Sequence, residues 1–398
     1  MANLLYPLSV KMRAGASKRV RFGYPWVFAN EIEMTPEAKA IPSGSMVRLI
    51  DDNGAFLGVG SFNPHSLICF RKFSTEADIP INSAFIAKRL RKCLDLRHKL
   101  IGSTYYRLVH SEGDNLPGVV IDRFGDVVSC QLNTAGADLL RKDIVAALKE
   151  VLDPKTILFR SESSARALEG LEPLNEIEFG EIPSPLEVKE NGIKFLIDIR
   201  EGQKTGWFYD QRDNRAFAGR LAHGLRFADF YTYAGGFALH AAIAGAKEVL
   251  ACDRSADSLA LAEQSAALNK VADKSRFVKG ETFTLLEDMI ADKDKFDVVI
   301  CDPPAFAKVK KDLNQGLKGY RKLAKLSSKL VEKGGFLGLA SCSHHVSPEA
   351  FLTECSRGIS ESGRNGRIVK IAGAAPDHPV HPLLPETGYL KMIFFQLD

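Results

Sequence analysis

The sequence predicts a multidomain α/β protein: a small β-rich module at the front, a central α+β domain, and a doubly wound parallel sheet at the back. Three observations carry that reading. Short, turn-punctuated strands fill the first 78 residues, strands flank helical segments up to about residue 186, and from residue 225 strands and helices alternate regularly. The expected domains are therefore 1–78, 79–186 and 187–398, and a chain of 398 residues, 45% apolar and 26% charged, can bury sizeable cores in them.

In the first domain, runs at 45–50, 56–62 and 67–73 read as strands, and Asn53-Gly54 reads as a hairpin turn. Phe85, Ile86, Leu90 and Leu94, spaced among Lys and Arg, predict an amphipathic helix over 81–100 that opens the second domain. Strands follow at 105–110, 118–122 and 127–132, then a helix at 137–152 and a strand at 157–160. The polar, Pro-containing stretch 172–185 reads as strands and turns leading to the third domain.

That domain is expected to run strand 226–230, helix from 237, strand 248–252, helix 255–269, strand 276–278 and helix 282–291. A strand ending at Asp302, a helix at 320–332, a strand at 336–341 and a final β pair at 366–372 and 388–396 complete it.

Composition narrows the function class. No apolar run approaches the ~20 residues of a membrane span, and the first 21 residues lack an apolar core behind a basic edge, so a soluble protein with no membrane partner is expected. Seven scattered cysteines without a Cys-x-x-Cys pair fit a reducing cytoplasm, with neither disulfides nor a metal site. Residues 1–100 carry 15 Lys and Arg against 8 Asp and Glu, a basic front end suited to a polyanion. A second basic run, from Lys308 to Lys329, is opposed within itself by Asp312 alone and has the plain reading of a solvated helix face.

The chemistry concentrates at strand ends. Asp302-Pro303-Pro304 follows one apolar run, and Ser341-Cys342-Ser343 ends another about forty residues later, so an acid and a thiol are expected at one crevice. Cys301 adjoins Asp302, but alternation along a strand turns it to the opposite face. The loop from Asp229 through Tyr231 to Gly235-Gly236 occupies the first strand-to-helix junction, where glycine admits a close ligand. Asp253, at the end of the next strand, can accept both hydroxyls of a ribose. Because the Gly-x-Gly-x-x-Gly fingerprint of dinucleotide sites is absent, S-adenosyl-L-methionine is the better-fitting cofactor.

With these residues in view, the C-terminal half resembles class I S-adenosylmethionine-dependent methyltransferases. The whole chain resembles the ribosomal RNA large-subunit cytosine-5 methyltransferase family. The resemblance is carried by Gly23-Tyr24-Pro25-Trp26-Val27-Phe28, by 58–64 and 114–123, and most specifically by Lys204-Thr205-Gly206-Trp207-Phe208-Tyr209-Asp210-Gln211-Arg212. It implies an N-terminal PUA-like β-barrel that binds RNA and a C-terminal Rossmann-like methyltransferase domain.

The resemblance further implies that Phe208, Asp210, Gln211 and Arg212 line the cofactor pocket. Asp229, Tyr231, Gly235, Gly236, Arg254, Asp302 and Pro303 would join them, with Asp253 on the ribose and Glu281 near the adenine. Cys342 would be the nucleophile and Asp302 the acid that contacts the base, on large-subunit ribosomal RNA, in a monomer or a homodimer. Two departures from the family's typical member stand out: Ala305 stands where that member has a lysine, and His344-His345 after the shared Ser-Cys-Ser differ from it.

Three readings compete with parts of this one. Asp-Pro-Pro followed by an aromatic also marks amino-group methyltransferases, which need no thiol, although here Ala305 intervenes. A methyltransferase fold kept only to bind RNA is a second. The third takes Trp26 and Trp207 as core anchors and Arg212 and Arg215 as a salt-bridge cluster at a helix start.

Overall fold

The computed structural model describes residues 5–200 and 206–398, which divide into two compact units. The first comprises residues up to Ile182 together with Pro376–Thr387; the second comprises the remainder.

The first unit holds two five-stranded sheets. Strands β1 (Ser9–Lys11), β2 (Trp26–Val27), β3 (Ser45–Ile50), β4 (Phe56–Phe62) and β5 (Phe70–Ser74) are ordered β1-β3-β4-β5-β2 around a core that includes Val47, Leu49, Phe62 and Phe70. The β3–β4 hairpin turns where expected, and its tip is tied by Asp51, whose carboxylate accepts the N–H groups of Asn53 and Ala55 at 3.0 and 2.7 Å. The third run starts at Phe70 rather than residue 67. Asn63 donates its N–H to the Cys69 carbonyl at 2.7 Å, which closes a loop and leaves Leu67 exposed.

Strands β6 (Tyr105–His110), β7 (Val119–Phe124), β8 (Val127–Leu132), β9 (Thr156–Ser161) and β10 (Leu174–Phe179) form the second sheet, ordered β10-β9-β8-β7-β6. The helix Ser83–Leu100, capped by Asn82, and the helix Arg141–Leu152 bury Phe85, Leu90, Ile144 and Leu148 in one core with this sheet. The segment expected as one helix over 137–152 is two, Ala135–Leu139 and Arg141–Leu152, because Leu140 leaves helical geometry.

The segment Pro376–Thr387, which the sequence reading leaves in the third domain, packs inside this unit. Arg97 is fully buried, bonds Asp114 at 2.7 and 2.6 Å, and also donates to the Asp377 carbonyl at 2.8 Å.

The second unit opens with the hairpin β11 (Leu186–Glu190) and β12 (Ile193–Ile197), turned at Asn191-Gly192, a pair whose positive φ angles suit a tight hairpin. Its main sheet has seven strands: β13 (Arg226–Phe230), β14 (Glu248–Asp253), β15 (Ser275–Lys279), β16 (Phe296–Cys301), β17 (Val331–Ser341), β18 (Gly366–Ala372) and β19 (Lys391–Leu397). The order is β15-β14-β13-β16-β17-β19-β18, parallel except for β19, which runs antiparallel to both of its neighbours. The chain therefore works outward from β13 in one direction and then returns to lay β16 on the other side. That reversal opens a crevice beyond the carboxyl ends of β13 and β16.

Two helices depart from expectation. Leu313–Leu330 begins seven residues before the expected start, in a stretch containing Gly316 and Gly319. A Cβ on either glycine would lie about 3 Å from the loop after Asp302, at 2.9 Å from Ala307 and 3.0 Å from Phe306, so their smallness is what lets that loop lie on the helix. The helix Pro348–Glu361 goes unread in the sequence although Ser347 caps it and Pro348 opens it.

Candidate active site

The carboxyl ends of five strands of the second unit's sheet, β13 to β17, carry most of the expected residues. After β13, Tyr231 and Tyr233 both adopt positive φ, at 66° and 53°, as does Gly235 at 82°. Two tyrosines in left-handed backbone store strain that the surroundings must hold, a feature concentrated at functional loops. Asp253 provides part of that hold, accepting the Tyr233 N–H at 2.9 Å on one oxygen and the Ser255 N–H at 2.9 Å on the other. The expected ribose-binding acid thus sits directly against the glycine loop, while Arg254 beside it is exposed.

Asp229 is fully buried beneath the loop. One carboxylate oxygen accepts the Thr232 hydroxyl at 2.6 Å and the Ala238 N–H at 3.0 Å; the other has no hydrogen-bond partner among the described residues. Burial pushes its pKa up to about 7 against the pull of those bonds, with the negative charge of Asp302 adding to the rise. Glu281, exposed, stands at the start of the helix Thr282–Ala291 after β15.

The segment before β13 supplies a further set of buried polar groups. Gly206 begins its described part, and Lys204 and Thr205 lie outside the described residues. Phe208 packs edge-on to Tyr233 at 5.4 Å, and Asp210 accepts a hydrogen bond from the Tyr389 hydroxyl. Gln211 bonds Asn214 at 2.7 Å, while Arg212 lies over the Tyr209 ring at 5.3 Å. Arg215 donates to Glu190 at 2.9 Å, and the Trp207 indole donates to the other Glu190 oxygen at 3.0 Å. The salt-bridge reading therefore fits Arg215, and the core-anchor reading fits Trp207, which is 2% exposed. Burial works against ionisation of Glu190, yet Arg215, Arg212 and His240 outweigh it and hold its pKa below the usual range.

Side-chain atoms in this region, Gln211 Nε2, Asn214 Oδ1, Arg215 Nε and Asp229 Oδ1, are buried with no hydrogen-bond partner among the described residues. A Cβ on Gly236 would stand 2.6 Å from Arg215 Nε, which brings the helix start and this polar cluster together. Buried orphan donors and acceptors beside a glycine loop are what a polar, nucleoside-containing ligand requires.

The chemistry end lies on β16 and β17, which pair in parallel with Cys301 opposite Leu339. Asp302 and Cys342 each follow immediately on these adjacent strands. Cys301 is buried, and its thiol meets Ser327 on the helix Leu313–Leu330, the face away from the crevice. Around Cys342 the alternation is anchored on Tyr320, whose hydroxyl accepts from Ser341 at 2.9 Å and meets the Ser343 hydroxyl at 2.8 Å. Both serines and Tyr320 are buried, whereas Cys342 is the one cysteine of seven that is not. The Ser343 hydroxyl also accepts the Ala307 N–H at 3.2 Å, tying the loop after Asp302 to the loop after Cys342.

Sequence reasoning missed Tyr320, Ser341, Ser343, Tyr389 and Lys391. The period-2 pattern of Ser-Cys-Ser is a signal for the serines; nothing local marks the others. The basic run is not an unopposed face: Arg321, Lys322 and Lys325 pair with Glu354, Glu287 and Glu361, acids brought in from other helices. Trp26, in the first unit, donates to Glu112 at 2.8 Å with Arg71 over its ring, which matches its reading as an anchor. His344 and His345 are exposed, and no cluster of metal-ligating side chains occurs among the described residues. Nor does any described helix have the length and apolarity to cross a membrane.

Comparison with known proteins bears on the fold and the family. Residues 10–75 match the PUA-like domain family, and residues 166–382 match the family of S-adenosylmethionine-dependent methyltransferases. The chain is 36% identical to the ribosomal RNA large subunit methyltransferase I of Tolumonas auensis, covering 96% of this chain and 98% of that one. It is 34% identical to the same-named protein of Pseudoalteromonas atlantica, covering 96% and 97%. In fold it is similar to SMU.776, a provisionally assigned methyltransferase solved in complex with SAH, with a TM-score of 0.83 at 21% identity over 98% of this chain and 99% of that one. The strand order with an antiparallel β19, the glycine loop ringed by buried polar groups, and full-length likeness to these relatives converge: the chain belongs to the ribosomal RNA large subunit methyltransferase I family of S-adenosylmethionine-dependent methyltransferases.

Proposed function

We propose that this enzyme forms 5-methylcytosine in large-subunit ribosomal RNA, with Cys342 as nucleophile and Asp302 as the acid that engages the base. One observation supports the reading above the rest. Ser341 and Ser343 are both held on Tyr320, so the thiol between them is turned to the other side, at a strand end adjacent to that of Asp302.

Carbon 5 of cytosine is too weak a nucleophile until the ring is activated. The Cys342 thiolate adds to carbon 6, forming a carbon–sulfur bond and an electron-rich enamine. Asp302 engages ring nitrogen 3 and the exocyclic amine and favours the adduct protonated at nitrogen 3, so the electron pair that the sulfur pushes into the ring is neutralised there, and that proton leaves again when the ring is restored. When bound, S-adenosylmethionine would supply the electrophilic methyl group and leave as the thioether. A base, to which no residue of the chain is assigned, takes the carbon-5 proton; the electron pair of that bond re-forms the carbon 5–carbon 6 double bond as the carbon–sulfur bond breaks and releases product and thiolate.

In this reading Phe208, Asp210, Gln211 and Arg212, with Asp229, Tyr231, Gly235 and Gly236, hold the cofactor. Asp253 with Arg254 holds its ribose, Glu281 lies towards the adenine, and Asp302 with Pro303 borders the methyl group. The domains are 1–78, PUA-like and RNA-binding, 79–186, and 187–398, and the protein works in the cytoplasm. The target cytosine must leave its stack to expose carbon 6, while the basic front end holds flanking phosphates. The names of the relatives lend no support to a homodimer.

The test is incubation of wild type and Cys342→Ala with labelled S-adenosylmethionine and unmodified large-subunit ribosomal RNA, with nucleosides read by mass spectrometry. Labelled 5-methylcytosine from wild type alone is expected. A methylated purine, or full turnover without the thiol, would overturn the cytosine-5 mechanism in favour of amino-group transfer.

A further inference from the structure

A cation sits beneath the loop that carries Cys342. Lys391, the first residue of β19, pairs in register with Ser341, the last residue of β17. Its ammonium reaches into the loop and donates to the Ser343 carbonyl at 2.7 Å and to the Val346 carbonyl at 3.0 Å. Among the described residues no carboxylate pairs with it. Burial lowers its pKa to about 8, and the charge interaction that opposes this is with Cys342.

A half-buried ammonium satisfied only by carbonyls retains uncompensated positive charge. A thiolate at Cys342 would compensate it, and by reciprocity the ammonium favours the ionised sulfur, the form that attacks carbon. Two other groups beside this loop, among the described residues, are not cations. Tyr320, behind Ser341 and Ser343, is held neutral by burial, and Asp302, at the adjacent strand end, is of the wrong sign. His344, two residues on, is exposed with its ring against Tyr389 at 5.2 Å.

We propose that Lys391 is a positioning residue for the methyl-transfer reaction, holding the loop after β17 and stabilising the thiolate of Cys342. The inference rests on the reading of Cys342 as nucleophile. Its consequence reaches further: the enzyme carries its own activating cation for the thiol, independent of RNA and cofactor.

The test is alkylation of the full-length protein by iodoacetamide across pH 6 to 10, with modification of Cys342 followed by peptide mass spectrometry; the other six cysteines are buried. In Lys391→Met, alkylation of Cys342 at pH 7 should slow about tenfold and its midpoint rise by about one pH unit. Lys391→Arg should keep the wild-type profile. Cofactor titration reports folding, and Lys391→Gln serves the same comparison should the methionine variant fail to bind cofactor. An unchanged alkylation profile in the neutral variants, with Cys342→Ala inactive, would sink the role of Lys391 alone. Turnover by Cys342→Ala would sink the nucleophile reading and leave the alkylation result standing.

Discussion

The hydroxyl of Ser343 joins the two loops that carry Asp302 and Cys342, and removing it should be measurable in both stability and rate. It is fully buried, meets the Tyr320 hydroxyl at 2.8 Å and accepts the Ala307 N–H at 3.2 Å. Ser343→Ala leaves the Ala307 N–H without that acceptor and takes one hydrogen-bond partner from the Tyr320 hydroxyl. A buried donor left unpaired costs about 1–3 kcal/mol, so urea unfolding should show a loss in that range. Tyr320→Phe removes the same junction from the other side. The two changes share one hydrogen bond, so the double variant should fall short of the sum of the singles by at least ~0.5 kcal/mol. Methyl transfer should fall in both single variants because the thiol loses its anchor. Strict additivity, or single losses below ~0.5 kcal/mol, would refute the claim that this junction holds the loops.

Two further outcomes follow from the cofactor side. The folded-state pKa of Asp229 is raised to about 7 from an ordinary 3.8, so the folded protein holds a proton that the unfolded chain has released. The associated stability is fully present below the ordinary value and is lost as pH rises through the folded one. Asp229→Asn should flatten the decline in urea midpoint between about pH 4 and 7, and an unchanged slope would show that burial does not hold the proton there. Gly236→Ala places a methyl group 2.6 Å from Arg215 Nε, on a side chain fixed by Glu190, so S-adenosylmethionine affinity measured by calorimetry should drop at least about tenfold. Wild-type affinity in that variant would separate Arg215 from the pocket.

Much of the second unit's sheet is legible from local pattern. Apolar runs such as 226–230 and 296–301 end at acids or turns, and a run buried on both faces announces itself without tertiary information. Helix starts are less legible. Gly316 and Gly319 lower local helix propensity, and their reason, the close approach of Ala307 and Phe306, lies across space. The short strands β1 and β2, three and two residues long, carry too few side chains for a period to show. The segment 376–387 is likewise illegible, since its bonds to Arg97 and Arg107 span more than 260 positions.

By itself the sequence determined the parallel sheet, the strand-end placement of Asp253, Asp302 and Cys342, and the opposite facing of Cys301, because strand period and strand ends are local properties. Only the tertiary structure decided what surrounds those groups. Tyr320 reaches the two serines from 21 and 23 residues away, Tyr389 reaches Asp210 across 179, and Lys391 enters the loop after Cys342 across 48. The ionisation of a thiol or a carboxylate depends on the charge and solvent within a few ångströms of it, and for this chain those neighbours come from distant strands and helices.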